Sequence, residues 1–299
     1  MKKIFSILFL FICLQAIAQD GDYDAFLARQ FLQNGEYAKA AEYFEELVKL
    51  NPEEYYQEYL KLLIQLKQFD KAEKTVKALY KEEENPMYLL DLGNLYTMQG
   101  KDADAEKQFN KTIKELKPDR YNINEVAQKF IEINQIDFAQ KTYLKGKDIL
   151  KDKGAFNLEM ANLFLLKNDF TSMMQAYLDE APYRQNDLSV IETGLQRAMK
   201  DEKQKDALEK ELLKRTQANK TAYVYQDLLV WLYMHRNDFD GALLQAKSLD
   251  VLRDEDGENV MRIAKTASEQ KDYDVAINGY QYVVNKGLKY PNYVNANLE

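Results

Sequence analysis

The chain has 299 residues with only five prolines and eleven glycines, against plentiful Ala, Leu, Lys, Glu and Gln, so long helices are expected nearly everywhere. Hydrophobic residues make up 46%, which excludes a disordered chain. The formal net charge is -8 and no window forms a basic stripe with interleaved aromatics, which argues against a nucleic-acid partner.

The first element in chain order is an address. Lys2 and Lys3 precede an apolar run from Ile4 to Leu14, and Ala16-Ile17-Ala18 supplies a small-x-small cleavage pattern. Residues 1–18 are therefore predicted to be a secretory signal peptide, with Gln19 the first mature residue. The run is shorter than the roughly 20 apolar residues that span a bilayer, and no later stretch approaches that length. No integral membrane segment is expected in the mature chain, although association with the envelope is compatible with this address. Cys13 invites a lipoprotein reading, but Ile12 is large where lipobox-type signals resemble one another in carrying Gly, Ala or Ser. Cleavage removes this sole cysteine, and with it disulfides, thiol catalysis and thiolate metal sites.

A repeat begins at once. Ala40 is preceded three residues earlier by Tyr37 and followed four later by Phe44, and the pattern returns at Ala72, Ala105, Ala139, Met173, Ala207, Ala242 and Ala276. The four-later slot holds Phe44, Val76, Phe109, Tyr143, Tyr177, Glu211, Ala246 and Tyr280. Twelve residues before the anchors stand Ala28, Leu60, Gly93, Ala127, Ala161, Leu195, Val230 and Ala264, and three after each of these, on the same helix face, stand Phe31, Leu63, Tyr96, Phe130, Phe164, Ala198, Tyr233 and Ala267. A small residue beside a large one lets a partner helix approach and fills the space next to it. Asn34-Gly35-Glu36, Gln99-Gly100-Lys101, Asn168-Asp169 and Asn237-Asp238 mark turns inside the units, and Pro52, Pro86 and Pro118 mark boundaries between them. The unit is a helix hairpin of about 34 residues.

This period with these slots resembles the tetratricopeptide repeat family. The third unit carries Leu92-Gly93, Tyr96, Gly100, Ala105, Phe109 and Pro118 at the family's spacing, and the first carries Ala28, Gly35, Tyr37, Ala40, Phe44 and Pro52. The sixth, with Gln204, Ala207 and Glu211, departs most. The resemblance implies an all-α fold, an α-solenoid in which about eight hairpins over residues 21–286 wind into a right-handed superhelix and gain stability by stacking. Residues 287–299, with Tyr290-Pro291 and apolar Tyr293, Val294 and Leu298, read as the start of a ninth repeat or as a capping helix.

No constellation for chemistry emerges, and no cofactor is expected. His235 has no second His or Cys for a metal site, and there is no phosphate loop, nucleophile elbow or His-Glu-x-x-His helix. The Lys200 to Arg215 stretch interleaves Asp201, Glu202, Asp206, Glu209 and Glu211 with its cations and reads as a solvated helix face. The chain is read as a non-enzymatic scaffold that binds a protein or peptide. In such arrays the first helices line the concave groove, which places Arg29, Lys61, Asn94, Gln128, Asn162, Gln196, Trp231 and Lys265 toward a ligand. Asn94, Gln128, Asn162 and Gln196 offer a carboxamide in four consecutive repeats, able both to donate to and to accept from a peptide backbone. That row is similar to the asparagine ladders of some tetratricopeptide arrays, though any solvated groove position would be polar. Trp231, with Tyr223, Tyr225, Tyr233 and Met234 nearby, fits either a binding anchor or packing between repeats. The expected compartment is the periplasm or outer-membrane surface. The sensory ectodomain of a longer protein and an accessory subunit of an envelope assembly stand as alternatives.

Overall fold

The computed structural model describes residues 22–219, 221–287 and 290–298, so the predicted signal peptide and its cleavage site lie outside the described residues. In chain order the hairpins are α1 (22–33) with α2 (Tyr37–Leu50), α3 (Pro52–Gln65) with α4 (Phe69–Glu83), α5 (Pro86–Met98) with α6 (Asp102–Lys114), and α7 (Arg120–Glu132) with α8 (Ile136–Leu150). There follow α9 (Asn157–Leu166) with α10 (Phe170–Glu180), α11 (Ser189–Ala198) and α12 (Glu202–Ala218), α13 (Val224–His235) with α14 (Phe239–Arg253), and α15 (Glu258–Glu269) with α16 (Tyr273–Lys286). A last helix, α17 (Asn292–Leu298), packs on α16 and α15 and buries Ala296. No strand occurs among the described residues.

The chain divides into two compact units at Leu150/Lys151. Within each, helices pack chiefly on their neighbours in sequence, the arrangement of an α-solenoid, since one hairpin cannot bury its own apolar face.

The boundaries follow from local chemistry. Pro52 and Pro86 occupy the first turns of α3 and α5, where a missing N–H costs nothing, and the side chains of Asn51 and Asn85 accept from Glu54 and Met87 backbone amides. The turn between paired helices uses one residue with positive φ, five before the anchor: Gly35, Lys67, Gly100, Asn134, Asn168, Asn237 and Lys271, with φ from 54° to 77°. Glycine and asparagine tolerate this conformation best, so the turn signals of the sequence have a backbone cause.

The small-residue slot is a helix crossing. All eight residues of that slot, from Ala28 to Ala264, are buried. A Cβ added to Gly93 would stand 2.4 Å from the Phe109 ring, and one added to Gly279 would stand 2.6 Å from Ala264 Cβ, so neither backbone could approach as it does with a larger residue. Seven of the eight residues four after the anchor are also buried, Glu211 being the exception.

The sixth repeat corrects the sequence reading. Ala207 is exposed and Leu208 is fully buried, so the packed face of α12 is rotated by one residue. Contacts from the following repeat support this: Tyr96 of the third repeat donates to Glu73, the residue after the second anchor Ala72, whereas the equivalent Tyr233 of the seventh donates to Glu209, which follows Leu208 rather than Ala207. The Lys200 to Arg215 stretch is accordingly solvated only in part, with Leu208 and Leu212 in the core. The sixth unit also lacks the left-handed turn, because Met199 is extended and Asp201 caps α12. Here α11 packs on α10 and α12 on α13, but α11 and α12 are not packed side by side.

Candidate binding surfaces on the first helices

In the first unit Arg29 and Lys61 are exposed, Asn94 is half-buried and Gln128 is exposed. Arg29 lies 3.8 Å from Glu54, a surface pair of small energetic weight. Gln128 is not wholly free for a ligand: its Nε2 donates to the buried Tyr143 hydroxyl at 2.9 Å, and that hydroxyl donates to Asn124 Oδ1 at 2.9 Å. In the second unit Asn162, Gln196 and Lys265 are exposed and Trp231 is half-buried. Asn94 and Gln128 thus belong to one unit and Asn162 and Gln196 to the other.

The first helices of the second unit enclose a cavity of about 360 Å³. Glu192 of α11, Asp227, Val230, Trp231 and Met234 of α13, and Asn259 and Arg262 of α15 line it, over Ala246 and Leu249 of α14. Asp227 is committed to Arg253, whose guanidinium donates to both of its oxygens at 3.0 and 2.5 Å. Glu192 is half-buried, and burial makes its carboxyl a weaker acid, with a pKa above the ordinary glutamate value, while Arg262 opposes the shift. Trp231 packs against the His235 ring at 5.8 Å between centroids. Trp231 is therefore neither fully exposed nor wholly consumed in packing between repeats: part of the indole faces this cavity.

The first unit holds a second, larger cavity of about 580 Å³ between the amino-terminal turns of α3 and α5 and α7. Tyr56 and Tyr88 meet edge to face at 5.0 Å in its wall. The Tyr56 hydroxyl donates to Asp91 at 2.9 Å, Gln57 Nε2 donates to the same oxygen at 3.3 Å, and the Tyr88 hydroxyl donates to Glu83 at 2.8 Å. Asp91 is 5% exposed, and burial raises its carboxyl above the usual range against the opposing pull of Tyr56, Lys129 and Gln57. Burial, seconded by Asp91, also pushes the Tyr56 hydroxyl well up. Among the described residues, no group of three or more His, Cys, Asp or Glu is placed to hold a metal ion.

Sequence reasoning did not single out Asp91, Tyr56, Tyr88 or Glu192. One signal was available. Asp91 is the lone acid in the apolar helix PMYLLDLGNLYTM, and a charge placed between Leu90 and Leu92 is buried unless the helix face is interrupted.

Hairpins that turn through one left-handed residue, cross at a small side chain and stack on the next unit define a helical-repeat protein. The tetratricopeptide repeat model matches residues 27–60 and 60–120, and that stretch of the chain carries tetratricopeptide repeats. Its structure is similar to that of a tetratricopeptide repeat protein from Parabacteroides merdae, with 11% identity, 93% of this chain and 97% of that one covered, and a TM-score of 0.31. It is also similar to the C-terminal part of a repeat-containing protein from Cytophaga hutchinsonii, with 14% identity, 80% and 98% covered and a TM-score of 0.31. A third similarity is to PilW, a type IV pilus biogenesis factor, with 15% identity, 71% and 92% covered and a TM-score of 0.31. No curated protein matches the chain. Tetratricopeptide repeats are typically non-catalytic interaction modules, so the fold suggests a protein-binding scaffold. Among the described residues, no helix is long and apolar enough to cross a membrane.

Proposed function

We propose that the chain is an exported, non-enzymatic scaffold of the periplasm or cell envelope that binds a polypeptide on its first helices. The observation that carries the binding mode is the cavity at Trp231, because side chains of three successive first helices, α11, α13 and α15, converge on it. A half-buried indole beside Met234 offers the kind of anchor that dominates binding energies, and the polar groups around it can fix the orientation of a ligand. The exposed carboxamides Asn162 and Gln196 extend that surface within the same unit with groups that pair with backbone amides irrespective of side chain, and in the other unit the half-buried Asn94 and the exposed Gln128 offer the same chemistry. The compartment rests on Lys2, Lys3, the apolar run to Leu14 and Ala16-Ile17-Ala18.

Trp231 is the only tryptophan, so its fluorescence reports on this cavity alone. A partner recovered from envelope extract with the mature chain is expected to shift that emission on titration and to bind more weakly to Trp231→Ala. It should also weaken modestly with Asn94→Ala plus Asn162→Ala, since each neutral hydrogen bond contributes only about 0.5 to 1.5 kcal/mol. Unaltered affinity in both variants, with native helicity, would place binding on another surface. The mass of the exported protein tests cleavage after Ala18, and a retained leader or an acylated Cys13 would overturn the soluble periplasmic assignment.

A further inference from the structure

We infer that a cavity between α2, α3 and α4 binds a small amphiphile, an apolar chain ending in a carboxylate. It belongs to the first unit, whereas Trp231 belongs to the second, and it does not depend on the polypeptide-binding reading.

The cavity holds about 760 Å³, within the roughly 300 to 1,000 Å³ of small-molecule sites. Its two ends differ. Val48 and Leu50 at the end of α2, with Pro52 and Leu79, wall one end, and Leu50 is 59% exposed there. At the other end Lys71 Nζ meets Glu45 at 2.6 Å and stands 5.8 Å from the centre of the Tyr59 ring. Lys71 and Leu79 are separated by about 12 Å along α4, and Pro52 and Tyr59 by about 10 Å along α3, so apolar and polar groups lie apart along the cavity.

Tyr59 points to a ligand. The residue is 1% exposed, it lines the cavity, and its buried hydroxyl has no hydrogen-bond partner among the described residues. Burial pushes its pKa up against the pull of Lys71, so the hydroxyl keeps a proton to donate. A buried donor without an acceptor is unfavourable, and an acceptor carried in by a ligand removes that penalty.

Charge selects the acceptor. Lys49, Lys71 and Lys74 line the cavity against Glu45 and Glu82, which leaves one cation in excess. Glu45 is held by Lys71, and Lys49 by Glu46 at 2.6 Å, while Lys74 is exposed with no acid within ion-pair distance among the described residues. A carboxylate on the Tyr59 hydroxyl would lie beside Lys71, with Lys74 less than one helical turn further along α4. An ammonium head would offer Tyr59 no acceptor and would meet these cations.

The test is calorimetric titration of decanoate, below its micellar concentration, into the mature chain. One saturable equivalent is expected, with decanol and decyltrimethylammonium weaker by about tenfold or more. Tyr59→Phe should weaken decanoate about fivefold and Lys74→Gln about threefold. Tyr59→Phe deletes only an unpaired hydroxyl and should melt no lower than the natural chain, so its lost affinity is not lost fold. A lower melting temperature would mean that the hydroxyl is already satisfied and would overturn the site. So would undiminished affinity in Tyr59→Phe, equal affinity for decanol, uptake of several equivalents, or no binding. Trp231 emission should stay constant through the titration; a shift would place decanoate at the Trp231 cavity and refute this inference while leaving the scaffold reading intact.

Discussion

In the third hairpin Gly100 turns at φ 70°, and α5 and α6 meet where the Phe109 ring covers Gly93; in the sixth, Met199 is extended, α12 is turned by one residue, and Glu211 holds the sequence position of Phe109 while Leu212 goes to the core. A glutamate cannot be buried against an apolar neighbour without a partner. Glu211 instead takes Arg215 at 3.0 Å, and Arg215 reaches Asp179 of α10 at 2.7 Å and Gln175 of the same helix. At this position the sixth repeat makes a polar link to the preceding repeat, while the apolar face of α12 has moved one residue on, to Leu208 and Leu212. The comparison teaches that the period of a helical repeat and the pairing within each unit are separable. Stacking on neighbours, α11 on α10 and α12 on α13, maintains the period where pairing fails.

The largest expected effect tests the rotated register of α12. Leu208→Ala removes a fully buried side chain and should cost about 2 to 5 kcal/mol in chemical denaturation. A loss below about 1 kcal/mol would mean that the sixth repeat does not fold with its neighbours. Next in size is the well-formed hairpin. Ala105 is 3% exposed at the start of α6, and Ala105→Leu should overpack that crossing by about 1 to 3 kcal/mol. A melt indistinguishable from wild type would place the crossing elsewhere.

Most of the fold was legible because its determinants are short-range and repeated. Small slots such as Ala28, Gly93 and Ala161, turn residues such as Gly35 and Asn168, and prolines at helix starts each act within one or two turns of chain. The sixth repeat was less legible because Ala207 is the right residue in the wrong place. The burial of Leu208 in place of Ala207 and the pairing of Tyr233 with Glu209, both set by tertiary contact, show that the face has turned. The binding surfaces were legible as a list of first-helix positions but not as cavities. Glu192, Trp231 and Arg262 lie 31 or more residues apart and converge only through stacking, and the tie between Gln128 and Tyr143 depends on a hydroxyl crossing from the second helix of the pair.

A smaller effect distinguishes the polar link from an apolar one by its response to acid. Burial alone would raise the Glu211 carboxyl, but Arg215 and Lys214 hold it below the ordinary value of 4.5. A lowered folded-state value contributes stability that is complete above 4.5 and is lost as pH falls through the lower folded value. Glu211→Gln should therefore be less stable than wild type at neutral pH and show a shallower decline on acidification. Parallel acid limbs for the two proteins would mean that Arg215 does not depend on this carboxylate.

The smallest expected effect is the sharpest discriminator, because two registers predict opposite results for one substitution. If Ala207 were the sixth anchor, Ala207→Leu would overpack a helix crossing as Ala105→Leu does. With Ala207 exposed on α12, the added atoms project into solvent, and leucine is nearly as good a helix former as alanine. Denaturation midpoints should then agree within about 0.5 kcal/mol of wild type. The Tyr233 to Glu209 contact should be unaffected, since Glu209 is displaced from residue 207 by more than half a helical turn. A loss matching that of Ala105→Leu would return the crossing to residue 207 and restore the sixth unit to the geometry of the third.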